Sequence, residues 1–243
     1  MPLISETSCY RRRVSTDSYL RPTRYLDADH AEIRRFAADA TAGARDPIEA
    51  AVRLYYAVRD GLRYDPYSVE LSPDALIASN ILARARGYCV AKAGVLAATA
   101  RAIGIPSRLG FADVRNHLAT QRLLEMMGTD IFYYHGYTEL LLADRWVKAT
   151  PAFNVELCER FGVAPLEFDG RTDSIFHPYD TGGRRHMEYV HDRGTRDDMP
   201  IEELREAMAR FYPRMGLTPP GGDFHAEAEA EVAAASRNDV RES

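Results

Sequence analysis

Residues 89–103 read CVAKAGVLAATARAI, and this stretch constrains the fold more than any other. Its residues are nearly all Ala, Val, Leu and Lys, and Gly104 and Pro106 stop it, which predicts a helix over Cys89–Ile103. The small residues Ala91, Ala93, Gly94, Ala97 and Ala98 fall on several faces instead of one stripe. Neighbours can therefore approach from every side, so the helix is expected at the centre of a packed core. With 243 residues the chain can bury one good core or two small ones.

Other elements follow from caps and periodicity. In DPIEAAVRLYYAVRDGL, Asp46 is placed as N-cap, Pro47 at the first helical position and Glu49 as the return arm of a capping box. Ile48, Val52, Tyr55, Tyr56 and Val58 supply the apolar stripe, and Gly61 ends it. Ser72-Pro73 opens a short helix to about Leu82, Ser107–Arg115 reads as a strand, and Thr120 caps a helix ending at Gly128. DIFYYHGYTELLLADRWVKAT reads as a hairpin, Ile131–Leu142 with Trp146–Ala149, turning near Asp144-Arg145. Asn154 starts another helix, Met187–His191 reads as a strand, and Pro200 opens an amphipathic helix to about Tyr212. Helices first and antiparallel strands after them make the fold class α+β. The divisions read as an N-terminal extension (1–45) of coil with one short helix, a core (46–155), a C-terminal extension of the same domain (156–217) and a flexible tail (218–243) in which HAEAEAEVAAA is a candidate frayed helix.

Cys89 sits at the predicted start of the central helix. A thiol there meets the positive end of the helix dipole and free backbone N–H groups, which favour thiolate and can hold an oxyanion. Gly87 is read as leaving room for a substrate chain. His135 is the candidate proton carrier. Period-two alternation puts Tyr133, His135, Tyr137 and Glu139 on one strand face, lining a cleft or packed against the helix of Cys89, and Phe132, Tyr134, Thr138, Leu140 and Leu142 on a core face. The aromatic run FYYHGY hints at a cleft for apolar groups, although aromatic faces are more often core.

Gly87-Tyr88-Cys89, Ala102-Ile103-Gly104-Ile105-Pro106-Ser107-Arg108, His135 with Glu139, and Trp146-Val147 with Pro151 occur in this order. As an ordered set over roughly residues 46–152 they resemble the transglutaminase-like superfamily. The resemblance implies a papain-like α+β fold and acyl transfer on amides by a Cys-His-Asp triad. The position of the family aspartate holds Thr150, whose hydroxyl carries no charge. Thr150 or, failing that, Asn154 is left to orient the imidazole. A two-residue turn at Asp144-Arg145 would set Asn154 opposite His135. Glu139, four residues along the strand, is about 13 Å from His135 and is not expected to substitute.

These residues together imply a cysteine-dependent amide hydrolase or acyltransferase, with hydrolysis favoured by analogy, acting on a peptide, protein or small amide. It needs no cofactor. The alternative is an inactive module that binds a peptide or protein partner. A metal enzyme built on His177, His186 and His191 is a weaker option, because their spacing matches no metal signature. Cys158 reads as packing and Cys9 as incidental. Asp113, Arg115, Asn116 and His117 read as a polar loop or a substrate wall, and FDGRTDSIFHPYD as a lid. A net charge of −5 gives no field for nucleic acid despite YRRRV and GGRRH. The absence of a long apolar run or leader and three scattered cysteines point to a reducing, cytoplasmic setting away from membranes.

Overall fold

The computed structural model describes residues 16–116, 119–176, 187–215 and 221–242. The central helix forms as expected, here α4 (Cys89–Ala102), with every residue from Cys89 to Arg101 buried. Three helices wrap one side of it: α1 (Ala31–Ala40), α2 (Pro47–Gly61) and α3 (Ala78–Arg84). The other side takes an antiparallel sheet of β3 (Ser107–Asn116), β4 (Ile131–Leu142), β5 (Arg145–Ala149) and β6 (Met187–Arg196), in the order β5-β4-β3-β6. Two residue pairs, β1 (Arg63–Tyr64) and β2 (Arg86–Gly87), join in parallel just before α4.

The helix starts show how local chemistry sets these elements. Asp46 accepts the Glu49 N–H at 2.9 Å and caps α2. The expected capping box is half made, since the Glu49 carboxylate takes the Arg45 N–H at 3.1 Å and not that of Asp46. Thr120 accepts the Leu123 N–H and caps α5 (Gln121–Met127), which ends on left-handed Gly128. The Ser72-Pro73 segment is a turn, and α3 begins later, at Ala78.

Lys92 lies on α4 yet is completely buried. Its Nζ donates to the carbonyls of Arg59 at 2.8 Å and Leu62 at 2.7 Å, closing the C-terminal end of α2. Burial pushes the ammonium down to about 7. Lys92→Met leaves both carbonyls without this donor inside the core. It is expected to cost about 2–4 kcal/mol in urea denaturation, with unchanged helical circular dichroism at low urea.

The ends of the chain depart from expectation. Residues 16–45 belong to the core: Leu26, Ile33 and Ala37 are fully buried and α1 packs on α4. The supposed tail carries a helix, α8 (Phe224–Glu242), docked against α6 (Val155–Phe161). Phe224 meets the rings of Tyr64, Tyr67 and Phe161. His225 Nε2 contacts the Tyr64 carbonyl oxygen at 2.9 Å, and Asp223, Glu227 and Glu229 pair with Arg63, Arg122 and Arg160. Polar composition misled because two buried apolar residues, Phe224 and Ala228, are enough to seat the start of the helix, while Val232 further along stays exposed. The C-terminal extension is equally integral, because β6 completes the sheet beside β3. Between β6 and α8 lies α7 (Ile201–Phe211), whose Leu204, Ala207 and Met208 join the wall of the cavity that Cys89 lines.

Candidate active site

Cys89 opens α4, and Tyr88 before it makes no side-chain cap, so the first-turn N–H groups stay available. The N–H groups of Gly136, Val90 and Cys89 itself bear on the sulfur. Gly136 achieves this by close approach: a Cβ there would lie 2.7 Å from Val90 Cα. Gly87 does a similar task, since a Cβ would lie 2.8 Å from Ala91 Cβ. Both glycines make room for the helix, not for a substrate chain.

His135 and Cys89 line the same cavity, under α7 and Tyr212. Cys89 is 6% exposed and His135 3%. The imidazole meets Phe176 edge-on, with ring centroids 5.8 Å apart. Burial pushes the Cys89 thiol up to about 11, outweighing the three N–H groups, and pushes His135 down to about 4. The thiolate expected from the helix start alone is therefore not the resting form. The shared cavity holds a thiol and an imidazole that both rest neutral.

A bulge delivers His135. Ala112 pairs with His135 and Val114 with Phe132, so Asp113 alone faces Tyr133 and Tyr134, the latter at φ +57°. Simple alternation consequently fails before His135, and Phe132, Tyr133 and Tyr134 all reach the cavity. Beyond it, Gly136 and Thr138 turn to α4, where the Thr138 hydroxyl donates to Ala93 O at 2.8 Å. Buried Asp113 accepts the Tyr134 N–H at 3.2 Å and binds Arg193 through two bonds of 2.9 and 2.7 Å. Arg193 lies 4.7 Å over the Tyr134 ring, at a second bulge in β6. Asp113, read from sequence as loop or substrate wall, is instead the anchor of this bulge. An acid in mid-strand was its only sequence signal.

Register decides the third position. Leu142 pairs with Arg145, so the turn is Ala143-Asp144, both at positive φ, one residue earlier than expected. Each strand partner moves by two residues. Ladder pairing ends at Thr138–Ala149; continued, it would set Ala152 opposite His135 and Thr150 diagonal to it. Asn154 does not come opposite the imidazole. Its Oδ1 accepts the Tyr64 N–H at 3.1 Å, and it starts α6. Thr150 is 1% exposed, and neither its hydroxyl nor His135 Nδ1 has a hydrogen-bond partner.

Other motif residues are occupied with structure. Arg108 and Glu139 pair directly across β3 and β4 at 2.6 Å, with the guanidinium 4.2 Å over Trp146. Arg115 pairs with Asp130 and Glu188. Cys158 is buried in α6. His191 is exposed on β6, while Cys9, His117, His177, His186 and the basic runs lie outside the described residues. Among the described residues no three His, Cys, Asp or Glu side chains gather as a metal site would require, and no helix is long and apolar enough to cross a membrane.

No curated protein matches the chain. Among solved structures, a provisionally assigned cysteine protease from Cytophaga hutchinsonii aligns with a TM-score of 0.44 and 15% identity, over 74% of this chain and 54% of its own. The chain thus spans about half the length of that protein. The family comparison matches residues 34–151 to the transglutaminase-like superfamily. That span holds Cys89 on its buried helix, His135 on the facing strand and Thr150 beyond the hairpin, so residues 34–151 of this α+β fold form a transglutaminase-like domain.

Proposed function

We propose that the protein is a cysteine-dependent acyl-transfer enzyme that hydrolyses amides. One observation carries the reading: Cys89 and His135 line one cavity in which backbone N–H groups already bear on the sulfur. Because both groups rest neutral, attack and proton transfer belong to one step. Sγ bonds to the carbonyl carbon while His135 takes the thiol proton. The carbonyl oxygen becomes the oxyanion, and the N–H of Cys89 helps to hold it. Collapse breaks the C–N bond, and the imidazolium gives its proton to the leaving amine. Water then attacks the thioester, His135 takes a proton from it, and the thiol is restored with release of the acid. Thr150 contributes a hydroxyl where the family carries a carboxylate. Asn154 is committed to Tyr64 and is not needed in this scheme.

A p-nitrophenyl ester tests the chemistry, because it acylates the thiol with a visible leaving group. The expected result is a burst of p-nitrophenol with one acyl mass added at Cys89, absent in Cys89→Ala. An unmodified Cys89 under continuing turnover would overturn the reading.

The second reading is a binding module that has lost turnover. The unpartnered His135 Nδ1 and Thr150 hydroxyl favour it, since a working triad pairs its histidine. Absence of any acyl adduct would select it.

A further inference from the structure

The wall of the reactive cavity carries specificity information that the nucleophile alone does not. Apart from Cys89 and His135, the lining is aliphatic and aromatic. Val90, Leu123, Met127 and Phe132 come from the core, and Leu204 and Met208 from α7. No Asp, Glu, Lys or Arg lines it among the described residues. The Tyr212 hydroxyl is already used, donating to Ile131 O at 3.0 Å and accepting the Tyr133 N–H at 2.6 Å. The remaining hydroxyls at the wall belong to Tyr64, Tyr88, Tyr133 and Tyr134, so a charged acyl group would lose its water with no opposite charge to replace it. The cavity volume is about 70 Å³. That is roughly half of the about 150 Å³ that admits benzene in an engineered apolar cavity.

We infer that the acyl group transferred to Cys89 is small, uncharged and apolar, with roughly three carbons beyond the carbonyl, and that Met208 sets its upper length. The inference rests on the proposed acyl-transfer reading. Such a group would sit against α7 with its carbonyl beside Cys89, while the leaving amine points out of the apolar pocket. The excess of apolar contact over size gives a steep dependence on chain length, since each buried methylene is worth roughly a four-fold change.

The test uses p-nitrophenyl acetate, isobutyrate, decanoate and succinate on the full chain. Each acylation rate is normalised to the ester's uncatalysed hydrolysis, and adducts are located by mass spectrometry. Isobutyrate is expected to acylate Cys89 at least 10-fold faster than acetate or decanoate and at least 100-fold faster than succinate. Met208→Ala is expected to move the optimum toward longer chains, raising decanoate relative to isobutyrate by about 10-fold. Equal rates for succinate and isobutyrate would overturn the inference and leave the acyl-transfer reading standing. So would a Met208→Ala profile identical to wild type. Failure of all four esters to modify Cys89 would remove both.

Discussion

His135→Ala lowers the rate of Cys89 acylation about 1,000-fold at neutral pH, if the imidazole is the proton acceptor. The thiol is held up near 11 by burial, so without a base only about one molecule in 10,000 carries thiolate at pH 7. The pH profiles separate this from a packing effect. Wild-type acylation should plateau above the low His135 value of about 4, where the imidazole is neutral. The variant should instead climb about 10-fold per pH unit toward 11. Stability gives a second readout. The folded pKa lies below the ordinary 6.5, so between about 6.5 and 4 the unfolded chain binds the proton and the folded chain resists it. Stability is therefore lost as pH falls through this window, by on the order of 3 kcal/mol, and His135→Ala should abolish that loss. Urea midpoints at pH 7 and pH 4.5 measure it. A variant acylated within 10-fold of wild type would remove His135 from the mechanism.

Thr150→Asp has the opposite expected sign. In the continued register residue 150 is diagonal to His135, within reach of a longer side chain. A carboxylate there gives the unpartnered Nδ1 side of the site an acceptor and stabilises the imidazolium formed in the transition state. Turnover should rise at least 100-fold, and His135 should titrate about two units higher by NMR of its ring protons. The cost is a buried acid at a 1% exposed position, so the midpoint of thermal unfolding should fall, most steeply above the His135 pKa. Unchanged turnover together with an unchanged His135 titration would show that residue 150 does not address the imidazole. The binding-module reading would then gain.

Much of this site was legible before any coordinates. Cys89 at a helix start, His135 in a strand and the hairpin after it all rest on local signals: a run of helix formers, an alternating run, and breakers at Gly104, Pro106 and Gly128. What misled was non-local or one residue wide. The turn Ala143-Asp144 differs from Asp144-Arg145 by a single step, yet that step moves every cross-strand partner by two and takes Asn154 away from His135. The bulge at Tyr134 depends on Asp113 and Arg193, 21 and 59 residues away in sequence, so strand periodicity alone did not reveal it.

The chain by itself determined that residues 89–102 form a helix that must be surrounded, because small residues on every face leave no side for water. It also determined the caps at Asp46 and Thr120, whose side chains bond backbone groups three residues on. Only the tertiary structure decided the protonation of the site. A helix start favours thiolate in isolation, but α7 and Tyr212 close over Cys89, and the desolvation that follows outweighs the backbone N–H groups. Desolvation is a property of what covers an atom. Here the covering residues of α7 and Tyr212 lie 115 and more positions along the chain from Cys89, beyond the reach of any local pattern.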